Sequence, residues 1–278
     1  MATQGIPSTQ PLSAKLIQVA KTAQFSWWIG HVLTLFFGSL YFMKFMFSPS
    51  SAKYYSFAYI GAIISYGISI YKTYGPPQFS LPFLQRLIVD ENVQYVILAI
   101  YFYTQSPIFV SLIPYFIFSF FHASSYLRLT IIPLVFPQVT SELEKARAAG
   151  QTAVPLSLPS KVSQFLGTSI GNYYSTALKI VSTWEIAAIM PWLTLTALTF
   201  QASFIAPIIY AQFLRIRYTT SPPTRAAFHT VRVFLDGKLT PPTASASIPP
   251  VVTKYYTIAR DYIVAIGNQL TNQTPAPN

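Results

Sequence analysis

The sequence predicts an all-α integral membrane protein: about six short hydrophobic helices arranged in three hairpins, with amphipathic helices lying at the membrane surface. Three observations carry that prediction. Only 9% of the 278 residues are charged while 52% are apolar, whereas a soluble domain carries about 25% charge, so a globule of this size has too little polar surface to face water. Ionised side chains are missing from four long stretches, Thr22 to Met43 (22 residues), Tyr54 to Tyr71 (18), Val93 to Leu127 (35) and Ile186 to Leu214 (29), each long enough to ask for lipid. The lysines and arginines that remain cluster between these stretches in a strongly one-sided way. Together these features exclude a cytosolic enzyme.

Residues 1–24 form a cytosolic N-terminal segment. The mixed residues there, with Lys15 and Lys21, lack a short apolar core followed by a small-residue cleavage site, so the first apolar run reads as a signal-anchor span. Residues 25–127 hold the first two hairpins. Gly30, Thr34 and Gly38 fall four apart on the first span, and Gly61, Ser65 and Ser69 on the second. Two such stripes let backbones approach, so these helices are expected to pack together. Val93 to Leu127 as one helix would be about 52 Å long against a hydrocarbon core of about 30 Å, and the tilt needed is beyond the usual range. It is expected to fold back at Gln105-Ser106-Pro107, where proline removes a backbone donor.

Residues 128–183 form a cytosolic loop: a short soluble helix from Ser141 to Gly150, a proline-broken linker from Val154 to Pro159, then an amphipathic helix from Ser160 to Thr183. Its apolar face is Val162, Phe165, Leu166, Ile170, Tyr173, Tyr174, Ala177 and Val181, expected to lie in the headgroup layer. Residues 184–214 make the third hairpin, turning at Gln201-Ala202-Ser203, with halves so short that the pair is expected to dip into the bilayer without crossing it. Pro114, Pro191 and Pro207 read as kinks.

Residues 215–278 form a basic cytosolic tail. Arg215, Arg217, Arg225 and Arg232 are interleaved with aromatic and β-branched residues, Pro241 to Pro250 reads as a disordered link, and 251–270 as an amphipathic helix. Val252, Tyr255, Tyr256, Ala259, Tyr262, Ile263 and Ile266 fall on one face, Lys254, Thr257, Arg260 and Asp261 on another. The membrane-surface residues assigned here are Lys254, Tyr255, Tyr256, Arg260, Tyr262, Ile263 and Ile266, combining apolar insertion with attraction to anionic lipid. Three hairpins with both termini inside place 16 cations on the cytosolic side and 2, Lys44 and Lys53, on the other; single crossings would give 11 and 7. The positive-inside rule favours the hairpins. A net charge of +11 points to a bilayer with anionic headgroups as the partner rather than nucleic acid.

Chemistry is sparse. Cysteine is absent, and no nucleophile elbow, phosphate-binding loop or dinucleotide turn is present. His31, His122 and His229 are not close in sequence, and Glu185 stands at the start of its apolar stretch, where it is expected to reach water or cap the helix. No catalytic, cofactor-binding or metal residue is assigned and the chain is not expected to be an enzyme. The rival reading is a small membrane transporter or lipid-modifying enzyme, with Glu185, His31 and His122 around a midplane cavity. A third is a scaffold whose tail binds a soluble receptor. Asn272-Gln273-Thr274 fits a glycosylation sequon, which a cytosolic tail never presents to the enzyme.

Several blocks occur in a telling order: Tyr74-Gly75-Pro76-Pro77-Gln78-Phe79-Ser80 running to Asp90-Glu91-Asn92-Val93-Gln94-Tyr95, Pro114 to Tyr126 with Phe120-Phe121-His122-Ala123, Glu185 to Pro191, and Pro207-Ile208-Ile209-Tyr210 to Arg217-Tyr218. Together they resemble the transmembrane protein 33 family, also called Krüppel homologue 2, whose fungal members are pore-membrane nucleoporins. The resemblance covers roughly Gln24 to Arg232. It implies residence in the endoplasmic reticulum and nuclear envelope, association with reticulon-type shaping proteins and nuclear pore components, a part in membrane organisation and pore-complex assembly, and no catalysis.

Overall fold

A computed structural model describes residues 11–45, 47–48, 51–150, 155–245 and 247–272. They are helical with turns between, and divide into two units, Met1–Ala177 and Leu178–Asn278. Gln273 and Thr274 of the sequon and Val154 of the expected linker lie outside the described residues.

The first unit opens with a short helix, α1 (Leu12–Ala20). Thr22 then ends one helix and starts the next: its hydroxyl donates to the Val19 carbonyl (2.7 Å) and accepts the Phe25 N–H (3.1 Å), capping α2 (Ala23–Lys44). Helix α3 (Ser51–Tyr74) returns antiparallel to it, and glycine sets how closely. A Cβ on Gly61 would lie 2.6 Å from the Gly30 carbonyl oxygen, and one on Gly30 would meet Ser65 Oγ at 2.3 Å. The approach lets Thr34 Oγ1 donate to the Ala58 carbonyl (3.1 Å) and Ser65 Oγ to that of Trp27 (2.9 Å), so both stripes pack as expected there. Gly38 departs from that expectation. Its open side receives Phe116 and Leu112 of another helix, because the stripe drifts around the helix as it advances.

A short helix the sequence reading did not foresee, α4 (Leu81–Val89), leads to α5 (Glu91–Tyr103). Asp90 joins them, its carboxylate accepting from Asn92 N–H (2.8 Å) and Val93 N–H (3.1 Å) while Tyr74 Oη donates to its other oxygen (3.0 Å). The 35-residue stretch does fold back: α5 stops at Tyr103, and α6 (Phe109–Tyr126) starts after the turn containing Gln105-Ser106-Pro107. Pro114 lies inside α6. Helices α2, α3, α5 and α6 form the core of this unit, running alternately up and down. Trp28 Nε1 donates to the Ala123 carbonyl (3.2 Å), near the start of α2 and the end of α6, while Phe42 meets Phe109 edge-on at the opposite ends. Tyrosines fill the middle. Tyr55 and Tyr59 both hydrogen-bond Ser111 Oγ (3.1 and 2.8 Å), and Tyr115 Oη donates to the Tyr95 carbonyl (2.9 Å).

A π-helical turn, Leu127–Ile131, carries α6 into α7 (Ile132–Val135), followed by α8 (Gln138–Ala148) and α9 (Leu158–Trp184). Glu142 ties α8 to the start of α9, accepting the Ser157 N–H (3.0 Å), Ser157 Oγ (2.7 Å) and Ser160 Oγ (2.6 Å). These bonds hold its carboxyl below the usual carboxylate range.

In the second unit a further π turn, Glu185–Ile189, leads into α10 (Met190–Leu198), and α11 (Ile205–Thr220) returns beside it, followed by α12 (Pro222–Leu239) and α13 (Pro250–Asn272). The third hairpin turns where expected, with the Thr196 carbonyl accepting the N–H groups of Gln201 (2.8 Å) and Ala202 (3.0 Å). Glu185 does not behave as expected. The helix runs through it without a break, so there is no end to cap, and it is 1% exposed. Of the expected disordered link, Ala246 lies outside the described residues, Pro250 begins α13 and the others run in turns between α12 and α13, following Thr240, whose N–H donates to the Asp236 carbonyl (3.0 Å).

Among the described residues, three stretches are long and apolar enough to cross a membrane by length and composition: Ala23–Lys44, Phe109–Val135 and Leu158–Leu198. Helix α3 has the length, at 24 residues, but its tyrosines and serines lower its hydropathy while filling the core. Replacing Gly61 by leucine should separate α2 from α3 and destabilise the first unit by about 1 to 3 kcal/mol. Thermal unfolding of the full chain in detergent checks this, with Gly67→Leu, which meets open space, as the control.

Candidate membrane-surface site

Helix α13 is held to the second unit by its polar side. Asp236, near the end of α12, accepts from Tyr256 Oη (2.8 Å) and from Arg260 Nη1 (3.0 Å), and Arg260 also pairs with Asp261 (2.8 Å). One helical turn separates Tyr256 from Arg260, so a single carboxylate clips both. Farther along, Gly267 packs on Tyr218 of α11, where a Cβ would stand 3.1 Å from Tyr218 Oη. Tyr218 is itself placed by an edge-on contact with Phe228 (5.4 Å) and by Arg225, whose Nη1 donates to the carbonyls of Tyr218 (3.2 Å) and Thr219 (3.0 Å) at the end of α11.

Turning Thr253, Tyr256, Thr257, Arg260, Val264 and Gly267 inward leaves the apolar side out. Val251, Tyr255, Ile258, Tyr262 and Ile263 are all exposed, Tyr255 by 68% and Tyr262 by 69%. At 100° per residue they span a sector roughly 140° wide. Lys254 and Asp261 are exposed on its flank. Of the seven residues the sequence assigned to the surface, Lys254, Tyr255, Tyr262 and Ile263 are exposed, Ile266 is half-buried, and Tyr256 and Arg260 face α12. Sequence periodicity did not place Ile258, which is 56% exposed. It sits between two faces that only the partner of the helix distinguishes.

Comparable apolar surface borders the first unit. Leu12, Leu16 and Ile17 of α1, Leu81, Leu84 and Ile88 of α4, and Val162, Phe165 and Tyr173 of α9 are exposed. Because the four core helices alternate, α1, the α3–α5 connection and the segment after α6 all lie at one end, and among the described residues of this unit the opposite end holds only the α2–α3 and α5–α6 connections. The tip of the third hairpin is also apolar, with Phe200 84% exposed and packed edge-on against Phe204 (5.6 Å). Phe200 takes φ +58°, a conformation rarely adopted by a bulky side chain.

Of the groups named for the rival reading, the two histidines come together in the first unit. His31 Nδ1 bonds Ser119 Oγ (3.0 Å), and its ring lies 4.8 Å from that of His122, with Trp27 edge-on to both; Glu185 belongs to the other unit. His229 is exposed on α12. Among the described residues no three metal-ligating side chains come together.

The sequence profile of the Transmembrane protein 33/Nucleoporin POM33 family matches residues 7–269. Among curated proteins, the chain is 30% identical to Tetra-spanning protein 1 of Schizosaccharomyces pombe, over 93% of this chain and 89% of that one. It is 32% identical to Nucleoporin POM33 of Chaetomium thermophilum (84% and 85% covered) and 28% to Pore membrane protein of 33 kDa of Saccharomyces cerevisiae (98% and 95%). No solved structure matches.

The clip has a defined pH range. Arg260 holds the Asp236 carboxyl below its ordinary value, while burial and then the bond to Asp236 push the Tyr256 hydroxyl up to about 12. A depressed carboxylate contributes stability that is lost only as pH falls through its folded value, and a raised phenol stability that is lost only as pH rises through its own. Docking of α13 should therefore be constant between about pH 5 and pH 9, read as protease resistance of the segment between α12 and α13. Asp236→Asn should increase cleavage there, and Gly267→Val should do so independently by pressing on Tyr218.

Proposed function

The chain belongs to the Transmembrane protein 33/Nucleoporin POM33 family, and from that premise we propose that it is a multi-pass protein of the endoplasmic reticulum and nuclear envelope that stabilises curved membrane and supports nuclear pore assembly. The observation that carries the curvature reading is the lopsided placement of surface helices. Among the described residues of the first unit, α1, α4 and α9 present exposed apolar residues at one end of the core, whereas the other end carries no helix of this kind, only the short α2–α3 and α5–α6 connections with Phe45, Phe47 and Tyr103 beside them. Helices lying in one leaflet enlarge it relative to its partner, so the protein is more stable where the bilayer bends toward that side; by linkage it also favours the bend. The positive-inside count assigns that end, and both termini, to the cytosol.

On this reading α2, α3, α5 and α6 cross the bilayer, in keeping with the word tetra-spanning in the name of the fission yeast relative. The third hairpin enters without crossing. Its returning arm, α11, meets Arg215 and Arg217 after only ten uncharged residues, Ile205 to Leu214, and an uncharged tip bearing Phe200 and Phe204 suits hydrocarbon better than water. Helix α13 adds a further apolar stripe on the cytosolic surface, where anionic headgroups attract its basic surroundings. Pore components are partners for which the names of the two pore relatives give support, and reticulon-type shaping proteins are the further partners that the curvature reading proposes. The reading assigns no catalysis.

Two measurements test this. A cysteine at Gln201 should resist a water-soluble thiol reagent added to either side of sealed vesicles; modification from the lumen would mean that the hairpin crosses. The full-length protein in giant vesicles should concentrate on membrane tubes drawn outward from the face bearing its tail. The double substitution Ile258→Glu and Tyr262→Glu should reduce that enrichment, and equal density on tube and flat membrane would overturn the curvature proposal.

A further inference from the structure

Where α9 lies against α6, the first unit leaves an apolar crevice of about 210 Å³. Its existence follows from the residues at the contact. Phe121 and Tyr174 pack edge-on (5.3 Å) and hold the helices at one point, while Ser124 on α6 and Ser169 on α9 are too small to fill the space beside it. Leu166 and Ile170 complete the floor, and Phe120, Phe165 and Tyr173, each exposed, form the rim. One water molecule needs only about 10 to 15 Å³ of such space, so the crevice has room for several methylene-sized groups in a row. That is a segment of one hydrocarbon chain.

The charge at its end identifies what the chain is attached to. Arg128 stands one helical turn beyond Ser124, at the end of α6 where the bundle gives way to the surface helices. Its Nε donates to the Ser163 carbonyl (3.1 Å), and its guanidinium rests on Gly167, where a Cβ would lie 2.6 Å from Arg128 Cζ. Glycine at 167 is thus what lets the cation lie across α9. Among the described residues nothing in the protein accepts from the terminal amino groups of Arg128. Lys161, exposed on α9, comes one turn before Phe165. A guanidinium fixed through one nitrogen, with its forked donors available, matches a phosphate or carboxylate bidentately. From Arg128 back to Phe120 is two turns, about 12 Å, running from the headgroup level toward the bilayer interior along α6.

We propose that this crevice is a binding site for one anionic glycerophospholipid: one acyl chain lies between α6 and α9 and the headgroup pairs with Arg128. The bound lipid completes the junction between the bundle and the surface helix α9. This goes beyond a general attraction of basic segments to acidic membranes, because it requires a particular seat.

The test uses the full-length protein reconstituted in phosphatidylcholine vesicles that contain a phosphatidylserine carrying a photoreactive group in one acyl chain, with adducts mapped by peptide mass spectrometry. Adducts should concentrate at Phe120, Phe165 and Ile170 above the level at Phe36 and Ile97, which are exposed on other helices. Ser169→Leu, which fills the crevice and leaves the Arg128–Ser163 bond in place, should abolish that excess. Arg128→Gln should lower capture of the phosphatidylserine probe about tenfold, the scale of one lost charge-assisted contact, and spare the matching phosphatidylcholine probe. Equal labelling at Phe165 and Phe36, persistence of the excess in Ser169→Leu, or equal capture of the two headgroups would each overturn the proposal.

Discussion

A bilayer offers no water to a buried donor or acceptor, and the interior of the first unit is built around that constraint. Small residues bring the backbones of α2 and α3 close enough that Thr34 and Ser65 reach carbonyls on the opposite helix. Three of the tyrosines are satisfied inside the bundle: Tyr55 and Tyr59 meet on Ser111, and Tyr115 reaches the Tyr95 carbonyl. His31 finds its partner in Ser119. Lipid tails are as apolar as leucine, so burying hydrocarbon gives these helices little reason to associate. Close packing and interhelical hydrogen bonds supply it. The low hydropathy of α3 is the sequence-level trace of a helix that spends its polar groups on its neighbours.

This explains which parts of the fold were legible in the sequence. The hairpin turns were, because the length of a helix and the thickness of a bilayer are fixed quantities, and Gln105-Ser106-Pro107 and Gln201-Ala202-Ser203 were the available places to turn. The small-residue stripes were legible to two turns, at Gly30 and Gly61. Beyond that the partner of Gly38 depended on where α6 lay. Glu185 was misread because a charge beside an apolar run resembles a helix start, and nothing local reveals that the preceding amphipathic helix continues through it. Helices α1 and α4, nine residues each, were missed for a different reason. They are too short to show several periods, and α4 sits in a proline-containing stretch that reads as loop.

At the surface site the periodicity of 251–270 gave the helix but only part of its orientation. An amphipathic helix has a boundary on each side of its apolar stripe, and Tyr256 lies on one of them. Its ring argues for the apolar side, its hydroxyl for the polar side, and Asp236, twenty residues earlier, decides between them. The same carboxylate takes Arg260, which composition assigns to the headgroups. A residue's type therefore said what it could do, and its partner on α12 said which of those things it does.

The consequence is energetic as well as geometric. An isolated amphipathic segment that folds only on reaching a membrane must order its backbone there, at a cost of roughly 1 kcal/mol or more per residue. Helix α13 is already formed and already turned, because its contacts to Asp236 and Tyr218 use the side that lipid does not need. On the proposed reading the apolar sector is left to the bilayer, and no contact with α12 has to break for it to insert. Preorganisation of this kind strengthens binding without adding contact area. It also makes the tail a surface with a fixed facing, which a wedge requires and a flexible basic tether cannot provide.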